Sequence, residues 1–115
     1  MDTSQTRVLW FSRHLLDEDQ LNGLKAIYGS NLVINQVDRT VKHVSEIQDE
    51  IDNSDVIAIV APLDIQQQFL QLAGERPVIF SESKRMFSDD GGKTVFKFNG
   101  WIRIKEIVYR TERLN

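Results

Sequence analysis

Residues Arg7 to Tyr28, RVLWFSRHLLDEDQLNGLKAIY, decide the fold. The four consecutive apolar residues Val8–Phe11 leave no polar face for water, which is typical of a central strand in a parallel sheet covered on both sides. Asp17 then begins a helix, with Gln20 three residues later as its capping-box partner. The stretch therefore predicts a first strand, loop and helix, and a ligand would bind at the carboxyl end of that strand.

The chain that follows repeats this strand and helix unit. Apolar runs at Leu32–Val37, Val56–Ala61 and Pro77–Phe80 predict further strands. Between them, apolar residues at helical spacing predict helices that pack on the sheet. Right-handed crossovers then favour a three-layer, Rossmann-like α/β domain with a parallel sheet in the order 2-1-3-4. The residues expected to face the core from the helices are Leu21, Leu24, Ile27, Tyr28, Val44, Ile47, Ile51, Phe69, Leu70 and Ala73.

A different pattern begins after the fourth predicted strand. The polar segment Ser81–Lys93 contains Asp-Asp-Gly-Gly and predicts a loop. Asn99-Gly100 between Val95–Phe98 and Trp101–Ile104 predicts a tight hairpin that pairs these two runs with each other. A change of apolar phase at Glu106-Ile107 predicts a β-bulge, with the last strand continuing to about Thr111. We therefore expect a C-terminal hairpin over residues 94–111.

Composition and charge restrict the function classes. The 115 residues suit one domain, 1–115, and the absence of cysteine excludes disulfides and thiolate chemistry. No apolar run approaches the roughly 20 residues of a membrane span, so we expect a cytoplasmic protein without a membrane partner. Residues 1–75 carry five basic against twelve acidic residues, and residues 76–115 carry nine against five. This distribution disfavours long nucleic acid as a partner, while the basic C-terminal part suits a compact anion.

Polar residues that follow the predicted central strands form the candidate binding site. Carboxyl ends of parallel strands lie at one edge of a sheet, where hydroxyl, guanidinium, ammonium and imidazole groups would cradle a phosphate or another anion. The alternative is that the cations among them are ordinary surface charges. The candidate ligand-binding residues are Ser12, Arg13, His14, Ser81, Ser83, Lys84 and Arg85.

The first loop contains no glycine, which excludes the dinucleotide fingerprint and the P-loop. Ser12 and His14 share a face if the strand stays extended, with Asp17 available to orient the imidazole, but about 7 Å would separate such a pair. A serine hydrolase is therefore disfavoured. His14 as general base for a ribose 2′-hydroxyl is less demanding, because the substrate brings its own nucleophile. With two distant histidines and no cysteine, we expect neither a metal site nor a cofactor.

Val8 to Gln20, with Ser12-Arg13-His14-Leu15 leading into a capped helix, resembles the start of small CRISPR-associated Rossmann-fold (CARF) proteins. Such proteins often begin with a strand, a Ser-His pair, a Leu and a helix; here Arg13 separates Ser12 from His14. Some are ring nucleases for cyclic oligoadenylate. The resemblance implies a homodimer that binds, cleaves or sequesters a signalling nucleotide, with any cleavage being metal-independent phosphodiesterase chemistry. The C-terminal pattern of Gly100-Trp101, Arg103-Ile104, Ile107 and Thr111-Glu112 is similar to uncharacterised small bacterial and phage proteins.

Two functions of different classes follow from the sequence. The first is binding of a small anionic signalling nucleotide, with slow cleavage or sequestration, in phage defence or counter-defence. The second is a non-enzymatic interaction module that dimerises through the aromatic residues Phe96, Phe98 and Trp101. The same aromatic residues also suit base stacking or a structural role as cover for the core.

Overall fold

A five-stranded sheet forms the centre of the computed structural model, which describes residues 5–87, 92, 94–108 and 110–114. The strands are β1 (Thr6–Phe11), β2 (Leu32–Val37), β3 (Val56–Ile59), β4 (Val78–Phe87) and β5 (Thr94–Ile104). Their order is β2-β1-β3-β4-β5. Neighbours in the first four are parallel, and β5 is antiparallel to β4. The predicted α/β class and the order 2-1-3-4 are confirmed.

Helices cover both faces of the sheet. The helix α1 (Glu18–Tyr28) lies on one face, while a 3₁₀ turn (Val44–Ile47), α2 (Gln48–Asp52) and α3 (Leu63–Leu72) lie on the other. Alternate residues of β1 therefore enter different cores: Trp10 packs with Leu24 of α1, and Leu9 packs with Phe69 of α3. None of the helices in these described ranges has the length and apolarity to cross a membrane.

The helix α1 begins as predicted but presents a rotated face to the sheet. Asp17 and Gln20 form the expected capping box. Leu24 is fully buried, yet Ile27 is 56% exposed, so its predicted place in the core is wrong. The contact face is instead turned toward Gly23, where the rings of Trp101 and Phe98 from β5 come close to the helix backbone. Apolar periodicity missed this because glycine contributes no apolar side chain.

The predicted loop after the fourth strand is largely strand. β4 continues through Ser81 to Phe87 because β5 pairs with it over this whole length. Ser83 to Met86 are exposed on this two-stranded ribbon, so polar residues are tolerated there and do not indicate a loop. The predicted loop residues 88–91 and 93, including Asp89 and Asp90, lie outside the described residues.

Asn99-Gly100 is a β-bulge, and its predicted role as a hairpin turn is wrong. Gly100 pairs with Glu82 and Phe98 pairs with Ser83, so Asn99 is the extra residue on β5. Gly100 has φ of +129°, a conformation that favours glycine in a bulge as well as in a turn. The predicted pairing of the two halves of β5 with each other is therefore replaced by pairing of both with β4.

The C-terminal segment lacks the predicted strand extension. β5 ends at Ile104, and residues 105–108 and 110–114 have no regular secondary structure. The bulge expected at Glu106-Ile107 is consequently absent from these residues. Tyr109, expected to continue the strand, lies outside the described residues.

Candidate functional site

A pocket of about 390 Å³ opens at the carboxyl ends of β1, β2 and β3, on the side of the sheet covered by α2 and α3. The strand order explains the position of the pocket. β1 lies between β2 and β3, and the helices that follow β1 and β2 cover opposite faces of the sheet, so their connecting loops diverge at this edge. Three segments contribute its walls. The lining residues are Phe11–His14, Val37–Val41, Val60–Pro62 and Ile65.

The loop after β1 is held in one shape by hydrogen bonds to its backbone. β1 ends at Phe11, and Ser12–His14 form a bend, so the extended arrangement of Ser12 and His14 does not occur. Gln36 of β2 donates its side-chain amide to the carbonyl oxygens of Ser12 (2.9 Å) and His14 (3.0 Å). The indole N–H of Trp10 also donates to the His14 carbonyl, at 2.7 Å. The pocket wall formed by this loop is therefore preorganised.

Ser12 supports the bend with its side chain. The residue is 6% exposed, and its hydroxyl accepts a hydrogen bond from the His14 backbone N–H at 3.1 Å. That role stabilises the turn locally. The Asp17 carboxylate is likewise engaged, because it accepts the Gln20 backbone N–H at 2.7 Å as the helix cap. Neither side chain is thus arranged with the imidazole in the way a hydrolytic triad requires.

His14 and Arg13 both line the pocket, as their predicted roles require. The His14 imidazole makes no hydrogen bond within the described residues. The Arg13 guanidinium donates to the hydroxyl of Thr40, which follows β2. Through this contact, the loops after β1 and β2 meet across the pocket.

The segment Asp38-Arg39-Thr40 contributes polar groups that sequence reasoning assigned only to the approach to a helix. All three residues line the pocket, and Arg39 forms an ion pair with Glu50 of α2 at 3.8 Å. The sequence did indicate that these three residues could line a site, because the predicted order 2-1-3-4 placed the end of β2 beside the end of β1. Asp38 is the first residue after β2, the kind of position from which a carboxylate binds ribose hydroxyls in dinucleotide folds.

A second capping box fixes the exit of this segment. The Glu46 carboxylate accepts the backbone N–H groups of His43 (2.8 Å) and Lys42 (2.7 Å). These two hydrogen bonds lower the pKa of Glu46 below its usual value, because they favour the ionised carboxylate. The chain that follows the pocket residues is therefore anchored at the start of the 3₁₀ turn.

Apolar side chains form the rest of the pocket. Phe11, Val37 and Val41 continue the adjoining core, while Val60 is 55% exposed at the end of β3. Leu15 and Leu63, next to lining residues in the sequence, are 81% and 67% exposed. A pocket with an apolar wall and a few polar groups is typical of small-molecule sites.

The other predicted ligand-binding residues lie on β4 and do not line this pocket. Ser81 faces α1, where its hydroxyl accepts a hydrogen bond from the Gln20 side chain at 3.0 Å. Ser83, Lys84 and Arg85 follow on the same strand and pair with β5. The structure thus brings Ser12, Arg13 and His14 together in one pocket and separates them from these β4 residues.

Comparison with known proteins identifies no relative. No protein-family model, curated protein or solved structure matches the chain.

Proposed function

We propose that the chain binds a small nucleotide, with one nucleoside and an anionic group, in the pocket at the carboxyl ends of β1, β2 and β3. The observation that carries the proposal is that Arg13, Arg39 and Asp38 line the same pocket as an apolar wall. Guanidinium groups suit phosphate oxygens, and a carboxylate accepts hydrogen bonds from ribose hydroxyls. The apolar residues offer a surface for a base.

Size and charge favour one nucleotide over a polymer. About 390 Å³ lies near the lower end of the range of roughly 300–1,000 Å³ for ligand pockets. Residues 1–75, which contain every lining residue, carry five basic against twelve acidic residues. A long polyanion would meet this acidic surface, whereas a single phosphate would meet only the local guanidinium groups. The biological role in this proposal is response to a signalling nucleotide in phage defence or counter-defence.

Where the nucleotide in the pocket is one unit of a small oligonucleotide, joined to the next unit by a 3′–5′ phosphodiester, His14 would add slow, metal-independent cleavage to binding. In this step the imidazole takes the proton of a ribose 2′-hydroxyl, and the 2′-oxygen attacks the adjacent phosphorus. The bond to the 5′-oxygen breaks, leaving a 2′,3′-cyclic phosphate, and water supplies the proton of the departing hydroxyl. The support is the position of His14 at the pocket, with its imidazole free of hydrogen bonds within the described residues.

Calorimetric titration with adenosine monophosphate, adenosine and ribose 5-phosphate tests binding. We expect the complete nucleotide to bind most tightly, and R13Q to weaken it by about 10- to 100-fold, the effect of losing charge-assisted hydrogen bonds worth about 1.5–3 kcal/mol. R85Q is the matched control, since Arg85 lies outside the pocket. Absence of binding by any nucleotide in a wider panel, or equal weakening by R13Q and R85Q, would contradict the proposal.

We also propose that the chain is a homodimer. The support is a pair of exposed apolar residues on the outer parts of β4 and β5, where Met86 and Val95 lie directly opposite each other on one face and are 45% and 51% exposed. Grouped apolar exposure of this kind is typical of protein interfaces. Sedimentation equilibrium over a range of protein concentrations tests this proposal, and a monomer at every concentration would contradict it.

A further inference from the structure

The outer parts of β4 and β5 form a two-stranded arm, consisting of Ser83–Phe87 and Thr94–Phe98. Among the described residues, β3 pairs with β4 only from Val78 to Phe80, and the arm residues of β4 have a strand partner on β5 alone. Phe98 reaches α1 near Gly23, which anchors the base of the arm. An isolated two-stranded ribbon is only marginally stable in water. A surface that covers the arm would therefore stabilise it.

One face of the arm combines like charges with apolar groups. Lys84 is directly opposite Lys97, and Met86 is directly opposite Val95. Directly opposed like charges destabilise a strand pair, and neither ammonium group has a carboxylate partner among the described residues. On the other face, Arg85 lies over the ring of its cross-strand partner Phe96, at 5.7 Å from the ring centroid. The lysine face is thus suited to an acidic surface.

The charge of the remaining chain indicates which surface that is. Residues 83–98 carry four basic and two acidic residues, whereas the rest of the chain carries ten basic and fifteen acidic ones. Pairing the arms of two copies with each other would bring their lysine pairs together, which is unfavourable. Nucleic acid would be repelled by the acidic body. A second copy of the chain, contacted on its acidic side, has the required complementarity.

The exposed acidic residues Glu46, Asp49 and Asp52 lie on the 3₁₀ turn and α2. Ile51 of α2 belongs to the core cluster of Leu9 and Ile57, so this acidic face lies over β1 and β3, whereas the arm extends β4 and β5. We propose that the arm of each copy docks on the acidic α2 face of the other in a two-fold symmetric dimer. This inference rests on the proposed homodimer, and it assigns both contacting surfaces.

Reciprocal charge exchange tests the pairing of these two surfaces. One variant, K84E with K97E, reverses the arm, and the other, D49K with D52K, reverses the α2 face. By sedimentation, each variant alone should dimerise at least about 100-fold more weakly than the wild type, since several like charges then face each other. An equimolar mixture of the two variants should restore a one-to-one dimer within about 10-fold of the wild-type affinity. Lys25 and Lys105 belong to neither surface, so K25E with K105E, which changes the net charge as the arm variant does, should have little effect on dimerisation.

The outcomes distinguish failure of the arm contact from failure of the homodimer proposal on which it rests. A wild-type chain that is monomeric at all concentrations would overturn both the homodimer and the arm contact. A wild-type dimer that the arm variant leaves unchanged would overturn the arm contact alone. Weakening by both variants without recovery in the mixture would also overturn it, because the two surfaces would then not face each other. Far-UV circular dichroism of each variant verifies that loss of dimer is not loss of fold.

Discussion

Replacing Gly23 by alanine should destabilise the protein, although alanine is the better helix former. A Cβ at this position would lie 3.1 Å from Cδ1 and Nε1 of Trp101 and 3.2 Å from Cε2 of Phe98. The indole cannot easily withdraw, because its N–H donates to the Gln20 carbonyl at 3.0 Å and its ring packs edge-to-face on Trp10 at 5.9 Å. Crowding of this kind costs about 1–3 kcal/mol, against a helix-propensity gain of about 1 kcal/mol. We expect a net loss of about 1 kcal/mol from these two terms.

Removing the Trp101 indole should reverse the sign of the effect that G23A has on the free energy of unfolding. In a W101A background, two of the three crowding atoms are absent and Phe98 has room to move, so G23A should stabilise the fold by about 1 kcal/mol. The coupling between the two sites would then be about 2 kcal/mol, well above the roughly 0.5 kcal/mol scatter of independent sites. Equilibrium urea unfolding of the four proteins measures it. A26G, at an exposed position of α1, should have the same effect in both backgrounds. Equal effects of G23A in both backgrounds would refute the packing argument.

Three further predictions concern single side chains. G100A should lower the free energy of unfolding by about 1–2 kcal/mol, measured by urea unfolding, because φ of +129° strains any residue with a Cβ. D17A should lower the thermal midpoint, with a loss of about 1 kcal/mol, because the Gln20 N–H loses its acceptor; unchanged stability would contradict its capping role. The backbone N–H of Arg7, together with its side chain, lowers the pKa of Asp55, so its stabilising effect exists above the unfolded-state pKa and is lost as pH falls through the folded-state pKa. D55N should therefore be less stable than the wild type at neutral pH, with the difference vanishing in acid; a difference independent of pH would contradict this.

The central sheet was predictable because its strands are buried on both faces. Val8–Trp10 and Val56–Ile59 are at most 2% exposed, and such burial leaves a continuous apolar run as its sequence signature. The two flanking layers and the strand order then followed from the alternation of strands and helices. Strands that are buried on one face or on neither, as on the arm, have no such continuous apolar run.

The arm was missed because Asn99-Gly100 is a stronger turn signal than the six residues, 88–93, that separate β4 from β5. Asn99-Gly100 indicates a turn only when the residues on either side pair with each other, and here both sides pair with β4. Ser83, Lys84 and Arg85 are polar because the arm is solvated, and the same composition is typical of loops. Local chemistry was therefore compatible with two structures, and the long antiparallel pairing decides between them.

About half of the candidate site was predictable, because its residues directly follow a buried central strand. Ser12, Arg13 and His14 follow a strand whose position in the sheet was predicted, so their place at the pocket follows directly. Asp38 and Arg39 follow β2, whose mixed polarity predicts an edge strand, and they were not among the predicted site residues. An edge strand still ends at the shared carboxyl edge, and its first loop residues are candidates for ligand contact.

The single extra residue at Asn99 also constrains how this chain can change length. Trp101 is opposite Ser81 and Phe98 is opposite Ser83, so both rings lie on one face of β5, although three positions separate them in the sequence, because Asn99 is left out of the pairing. Deleting Asn99 would therefore keep these pairings, and Phe98, Lys97 and Phe96 would stay on the faces that they now occupy. An insertion in the regularly paired part of β5 would instead turn every side chain farther along the ribbon to the opposite face.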